Sequence, residues 1–190
     1  MQFDSEFISI YQEHFIPAYA NVVTAYADKP QEIILELESA FTHIMTAEIG
    51  NNPAENMEKA RGHLYRATLD CYKFMWLKIT SVIDDAYVHR DAYKSSEKEL
   101  LVGYDEYKAA LNAAREFELS SIGKTDRNMG VLNKWRDAVT KGKEVYDKID
   151  VKKLNRLIKW ATRNGLKFWL YSLAVCVLGG LIVLTVDKFF

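Results

Sequence analysis

The feature that most constrains this chain is a run of 19 residues without a charge, Phe168 to Val186, reading FWLYSLAVCVLGGLIVLTV. As a helix it would be about 28 Å long, close to the thickness of the hydrocarbon core of a bilayer. Leu, Val, Ile and Phe are favourable in lipid, and the run lies too late in the chain for a signal peptide. The sequence therefore predicts a transmembrane helix over 168–186.

The 17 residues before this run contain six basic residues and no carboxylate: Lys152, Lys153, Arg156, Lys159, Arg163 and Lys167. Only Asp187 and Lys188 carry charge on the other side, so the positive-inside rule predicts a single-pass protein of the inner membrane with a cytoplasmic N-terminus. Without these eight residues, the totals of 25 basic and 26 acidic side chains become 18 and 25 for residues 1–150. The expected head has a net charge of −7 and the neck one of +6.

Residues 1–150 are long enough for one domain with its own hydrophobic core. Nothing in them is typical of a strand, and prolines and capping residues divide them into amphipathic segments. We therefore expect an all-α fold: a multi-helix cytoplasmic bundle over 1–150, a basic amphipathic neck over 151–167 and one C-terminal transmembrane helix. Cys71 and Cys176 would lie in different phases, so no disulfide is expected, in keeping with a reducing cytoplasm.

Five helices are predicted in the bundle. They run from Asp4 or Ser5 to Tyr26, from Pro30 to Gly50, from Pro53 to about Tyr93, from a Ser96 cap to about Gly123, and from a Thr125 or Asp126 cap to Ile149. Pro17 predicts a kink in the first helix. The third, at about 40 residues, is longer than usual and needs packing partners along its whole length.

The fifth predicted helix has a regular apolar seam, Leu132, Trp135, Val139, Gly142, Tyr146 and Ile149. This alternating three- and four-residue spacing is the heptad pattern of a coiled coil. One face of an ordinary bundle helix produces the same pattern. The spacing leaves open whether the seam joins copies of the chain or packs within one copy.

The densest polar cluster lies on the third predicted helix. Lys59, His63, Arg66, Asp70 and Lys73 share one face, and Arg61, Tyr65, Tyr72 and Trp76 lie beside it. Basic side chains can bind the phosphates of a nucleotide or oligonucleotide, and neighbouring aromatic rings can stack on its bases. The alternative is a solvated face laced with intrahelical pairs such as Arg66 with Asp70. Gly62 favours close approach of a neighbour or ligand, because glycine destabilises a helix interior by about 1 kcal/mol.

The neck also has two interpretations. Its apolar residues fall on one side and its cations on the other, which suits a helix lying on an anionic leaflet. In a symmetric oligomer, Lys152, Arg156, Lys159 and Arg163 would instead repeat as rings that attract a polyanion. The candidate ligand-binding residues are therefore these four, with Lys59, His63, Arg66 and Lys73 of the head.

Small residues recur within the uncharged run. Ser172, Cys176 and Gly180 are spaced by four, with Gly179 alongside, and Val183 completes the predicted packing or pore positions. Small residues at this spacing let helices approach closely. Several copies could therefore gather round an axis and enclose a narrow apolar pore, which gates by dewetting. We expect a homo-oligomer, with a tetramer as the favoured form.

No enzyme signature is found, and we expect neither an enzyme nor a cofactor. The four histidines lack the upstream arginine of HEPN-type nucleases, and His89-Arg90-Asp91 has none of the other kinase motifs. Asp84, Asp85, His89 and Asp91 could hold a metal if folded together, but an exposed ion pair fits their spacing better.

The ARGHLYRATLDCYK helix, the FWLYSLAVCVLGGLIVLTV tail and the helical order between them resemble the single-span effectors of bacterial anti-phage defence, most of all the membrane effectors of Hailong systems. The resemblance implies a homo-oligomeric ion channel, held shut by short single-stranded DNA from a partner nucleotidyltransferase. A second hypothesis is a tail-anchored adaptor or tether whose acidic head binds a protein partner.

Overall fold

A computed structural model describes residues 5–50, 52–89, 97–122 and 128–186, without the side chains of 97–101, 168 and 171–186. The helices are α1 (Ser5–Ser9), a π-helical segment (Ile10–Phe15), α2 (Ile16–Tyr26), α3 (Gln31–Glu48), α4 (Pro53–Val88), α5 (Glu97–Ser121), α6 (Met129–Tyr146) and α7 (Val151–Val186). No strand occurs among the described residues, so the predicted all-α class is confirmed.

Prolines and caps set most helix starts. Pro30 is the N-cap of α3 and Pro53 the first residue of α4, as their fixed φ angles favour. The start of α6 differs from the prediction, since Asn128 is its N-cap and accepts a hydrogen bond from the Gly130 amide at 2.9 Å. The predicted caps at Thr125 or Asp126, and the Ser96 capping box, lie outside the described residues.

The irregularity expected at Pro17 occurs as the wide turn just before it. The π-helical segment Ile10–Phe15 separates α1 from α2. Pro17 has no amide hydrogen to donate to the carbonyl of Glu13, and loss of that bond accompanies the shift of register. The π turn brings His14 into the core, where 1% of its surface is exposed.

Helix α4 is the centre of the bundle. It packs against α3, α2 and α6, while α5 packs mainly against α6. The core around it is formed by large side chains that are almost fully buried, among them Leu64, Ile79, Ile83, Tyr107, Leu132 and Trp135. The long helix therefore finds its partners within its own chain. It ends at Val88, about five residues earlier than predicted.

The heptad seam of α6 is part of this core. Leu132 and Trp135 are 0% and 2% exposed, and Val139 is 6% exposed. A Cβ on Gly142 would lie 2.7 Å from the Tyr107 ring and 2.8 Å from the Ile79 side chain, so α6 meets α4 and α5 closely there. The seam packs inside one copy, and its use as a coiled coil between copies was the wrong interpretation.

Helix α7 begins in the bundle and continues to Val186. Asp150 caps it by accepting a hydrogen bond from the Lys153 amide at 2.9 Å. Leu154 is 1% exposed, and Val151, Leu157 and Ile158 pack partly buried against the core. The apolar side of the neck thus contacts the head, which corrects the expectation that it faces lipid.

Within the described part of the chain, no helix combines the length and hydropathy needed to cross a membrane. The span predicted over 168–186 involves residues whose side chains, except those of Trp169 and Leu170, lie outside the description. Ser172, Cys176, Gly179, Gly180 and Val183 are in this group, and their packing or pore role stays a prediction.

Candidate functional site

The four candidate ligand residues of α4 all lie beside carboxylates. Lys59 forms an ion pair with Glu55 one turn earlier, with Nζ 2.6 Å from Oε1. Arg66 pairs with Glu36 of α3 rather than with the expected Asp70, its Nε lying 3.1 Å from Oε2. His63 meets the same carboxylate, with Nδ1 2.8 Å from Oε2. Arg66 and His63 therefore both contact one carboxylate of α3, that of Glu36.

His63 also belongs to a polar contact between α3 and α4. Its ring stacks on that of His43 with centroids 5.3 Å apart, and His43 Nδ1 lies 2.8 Å from Asn56 Oδ1. Gly62, next to His63, is buried in the bundle. This glycine is therefore enclosed by the bundle rather than open to solvent.

Lys73 is part of a network that joins α4, α5 and α6. Its Nζ lies 2.6 Å from Glu118 Oε1, and the other oxygen of Glu118 accepts a hydrogen bond from Trp135 Nε1 at 2.9 Å. The ammonium also lies 5.8 Å from the centre of the Trp135 ring. Nearby, burial raises the pKa of Asp70 above its ordinary value, an effect that Lys73 opposes. These contacts hold α4, α5 and α6 together.

The predicted anion face of α4 is therefore electrostatically neutralised. A phosphate that approached it would have to displace Glu36 or Glu118 from partners that are partly buried, which costs more than releasing bulk counterions. Sequence spacing placed the cations on one face correctly, but the carboxylate partners of His63, Arg66 and Lys73 come from other helices, and only that of Lys59 lies on α4 itself.

The neck cations have the opposite environment. Lys152, Arg156, Lys159 and Arg163 recur at intervals of four, three and four, so they form a stripe along one side of α7. All four are exposed, and within the described part of the chain none has a carboxylate at ion-pair distance. Arg156 Nε donates a hydrogen bond to the Lys152 carbonyl at 3.3 Å, which holds its guanidinium near the stripe.

The basic stripe and the apolar contacts of the neck lie on opposite sides of α7. Because Leu154 is buried against the bundle, the cations face away from the head. Lys167 is exposed one turn beyond Arg163 and extends the stripe towards the uncharged run. This arrangement can bind an extended polyanion, with its phosphates spread along the helix.

A pocket that sequence reasoning missed lies between α2, α4 and α6 and has a volume of about 300 Å³. Lys78 and Lys143 line it, together with Asn21 of α2 and Asp147 just after α6. No motif could have revealed it, because its walls come from three helices far apart in the sequence.

Asp84, Asp85 and His89, weighed from the sequence as metal ligands against an exposed ion pair, form no metal-ligand group with other described residues. Among the described residues, no three His, Cys, Asp or Glu side chains are grouped as metal ligands would be. Asp84 instead pairs with Lys108, Oδ1 to Nζ 2.9 Å, and Asp91 lies outside the described residues. Burial raises the pKa of the Cys71 thiol to about 12, so it stays protonated and unreactive at neutral pH.

Comparison of the chain with protein-family models, with curated proteins and with solved structures finds no match. Function must therefore be argued from the chain itself.

Proposed function

We propose that the protein is an oligomeric membrane effector, a ligand-gated ion channel or pore of the inner membrane that depolarises the cell in anti-phage defence. In this proposal α7 is the anchor, and the basic stripe of the neck binds the controlling ligand. That ligand is a nucleotide or, in better agreement with the length of the stripe, an oligonucleotide such as single-stranded DNA. A partner nucleotidyltransferase would supply it.

The observation that carries the proposal is the contrast between the two basic clusters. The α4 cations are paired with carboxylates, whereas the four stripe residues, Lys152, Arg156, Lys159 and Arg163, are exposed and have no carboxylate at ion-pair distance among the described residues. The stripe lies on the same unbroken helix as the uncharged run. A polyanion bound there would act directly on the segment proposed to form the pore.

Fewer features support the proposed oligomer than the sequence alone suggested. The α6 seam no longer supports it, because the seam packs within one copy, and the long helix α4 likewise finds its packing partners within its own chain. The remaining support is the small-residue spacing of Ser172, Cys176 and Gly180, which permits close helix packing. The mass of the full chain in detergent tests this, and a monodisperse monomer would exclude the channel.

Binding is tested with a fluorescent single-stranded DNA and the full chain in detergent. Arg156→Gln with Lys159→Gln should weaken binding and reduce the dependence of log K on log salt by about 1.4, since each phosphate contact to a single strand contributes about 0.7. The matched control is Lys59→Gln with Lys134→Gln, which removes two exposed charges elsewhere. Equal affinity and salt dependence in the two double variants would contradict the neck site.

Function is tested by a membrane-potential dye in cells that express the full chain without any inhibitor. Depolarisation is expected, and it should be absent when residues 168–190 are replaced by an unrelated anchor. A truncated head should end at residue 167 rather than 150, because Leu154 belongs to the core. Depolarisation by the 1–167 head, or none by folded full-length protein, would contradict the channel mechanism.

One observation favours the alternative, a tail-anchored adaptor. An apolar groove of about 390 Å³ lies between the first helical segments and α3, lined by Ile8, Tyr11 and Phe41 among others. These three side chains are 42%, 45% and 62% exposed. Such a groove suits an amphipathic helix of a partner protein. A monomeric, non-toxic protein whose partner binding is lost in Phe41→Glu would favour this function.

A further inference from the structure

The pocket between α2, α4 and α6 has an apolar floor and polar walls. Met75 and Ile79 form the floor and are 6% and 2% exposed. The polar wall residues are Asn21, Thr24, Lys78, Lys143, Tyr146 and Asp147. At about 300 Å³ the pocket is at the small end of the range for ligand sites, which is about 300 to 1,000 Å³. It fits a compact molecule and excludes a nucleic-acid strand.

Two ammonium groups at this pocket form no ion pair among the described residues. Lys143 Nζ donates to the neutral Asn21 Oδ1 at 3.2 Å, and Lys78 Nζ lies 5.6 Å from the centre of the Tyr26 ring. Among the residues that the structure describes, neither lysine has a carboxylate at ion-pair distance. Both charges therefore remain available to an anion.

Three lysines elsewhere in the head have close carboxylate partners. Lys59, Lys73 and Lys108 each lie within 3 Å of a carboxylate oxygen. In a head with an excess of acidic side chains, the two lysines outnumber the single carboxylate that lines this pocket, Asp147, and give the pocket a net positive charge. Asp147, at the wall, adds an acceptor for a hydroxyl or amino group of the ligand.

We propose that this pocket binds a phosphate monoester that carries hydroxyl groups, a sugar phosphate or a mononucleotide. Lys78 and Lys143 bind the phosphate, Asp147 accepts a hydrogen bond from a hydroxyl, and the floor packs against the carbon skeleton. This inference is independent of the proposed pore, since it uses none of the neck residues. Tyr146 is the last residue of α6 and Asp147 is its C-cap, next to the turn that leads into α7. A ligand in the pocket would therefore contact the junction between α6 and α7.

The test is isothermal titration calorimetry of the full chain in detergent with ribose 5-phosphate and with adenosine 5′-monophosphate. Saturable binding of at least one is expected, and Lys78→Gln with Lys143→Gln should weaken it at least about tenfold, since two charge-assisted contacts are lost. Lys134→Gln, an exposed lysine of α6 outside the pocket, is the matched control and should bind normally. Asp147→Asn should weaken ribose 5-phosphate more than inorganic phosphate.

A second measurement does not depend on any variant. In the wild-type chain, ribose 5-phosphate or adenosine monophosphate should protect Lys78 and Lys143 from acetylation, as read by mass spectrometry, and leave Lys134 unprotected. The proposal would be overturned if neither compound bound at millimolar concentration. It would also be overturned if the double variant and the control bound with equal affinity. Binding that is lost with Arg156→Gln and Lys159→Gln instead would assign the phosphate to the neck and also overturn it.

Discussion

Leu154→Ala should lower the free energy of unfolding by about 3 kcal/mol. Leu154 is 1% exposed, in the first turn of α7, against the head. The substitution removes the equivalent of three methylene groups, at about 0.8 kcal/mol each, or about 2.4 kcal/mol of transfer free energy. The cavity that remains raises the cost further, within the range of about 2 to 5 kcal/mol for buried leucines.

The assay is urea unfolding of the full chain in detergent, followed by far-ultraviolet circular dichroism. Leu166→Ala is the control, because Leu166 lies on the same helix and is 61% exposed, and it should change stability by less than about 0.5 kcal/mol. If the neck were an independent helix on the lipid surface, Leu154→Ala would alter vesicle binding and neither variant would change the stability of the head. Equal unfolding curves for the two would refute the packing of the neck onto the head.

Three further perturbations follow from particular residues. Burial lowers the pKa of His14 below 6.5, so the unfolded state binds a proton that the folded state does not. The free energy of unfolding should therefore fall as the pH drops below about 6.5, and urea unfolding of His14→Phe should show a smaller fall. Ala27 ends α2 at φ 52°, where glycine is unstrained, so Ala27→Gly should raise stability by about 1 kcal/mol in the same assay. Gly180→Leu or Cys176→Leu should reduce the oligomer mass in detergent and the depolarisation, and unchanged values would mean that the small-residue face is incidental.

Local signals predicted the helices well. Pro30 and Pro53 marked the starts of α3 and α4 because a proline constrains only its immediate neighbours, and this effect can be read from the sequence. The apolar spacing of Leu132, Trp135 and Val139 likewise identified the buried side of α6. Such patterns depend on the helical period alone.

The sequence did not predict which groups contact the α4 cations and the apolar side of the neck. The spacing that placed Arg66 and Lys73 on one face could not reveal that Glu36 and Glu118 neutralise them from α3 and α5. The apolar side of the neck was assigned to lipid, since periodicity shows that a side is apolar without showing what covers it. The pocket of Lys78 and Lys143 was missed for the same reason, because only tertiary packing brings its walls together.

The junction of α7 with the head has a mechanical consequence. An unbroken helix of 36 residues is about 54 Å long and resists bending. Its first two turns are clamped through Leu154, Leu157 and Ile158, so the helix behaves as a lever with its pivot in the bundle. A tilt of about 10° at the pivot would displace the far end by about 9 Å, given that length. Because the clamped turns span about 12 Å, a shift of about 2 Å in the bundle would be amplified into a displacement comparable to the diameter of a helix.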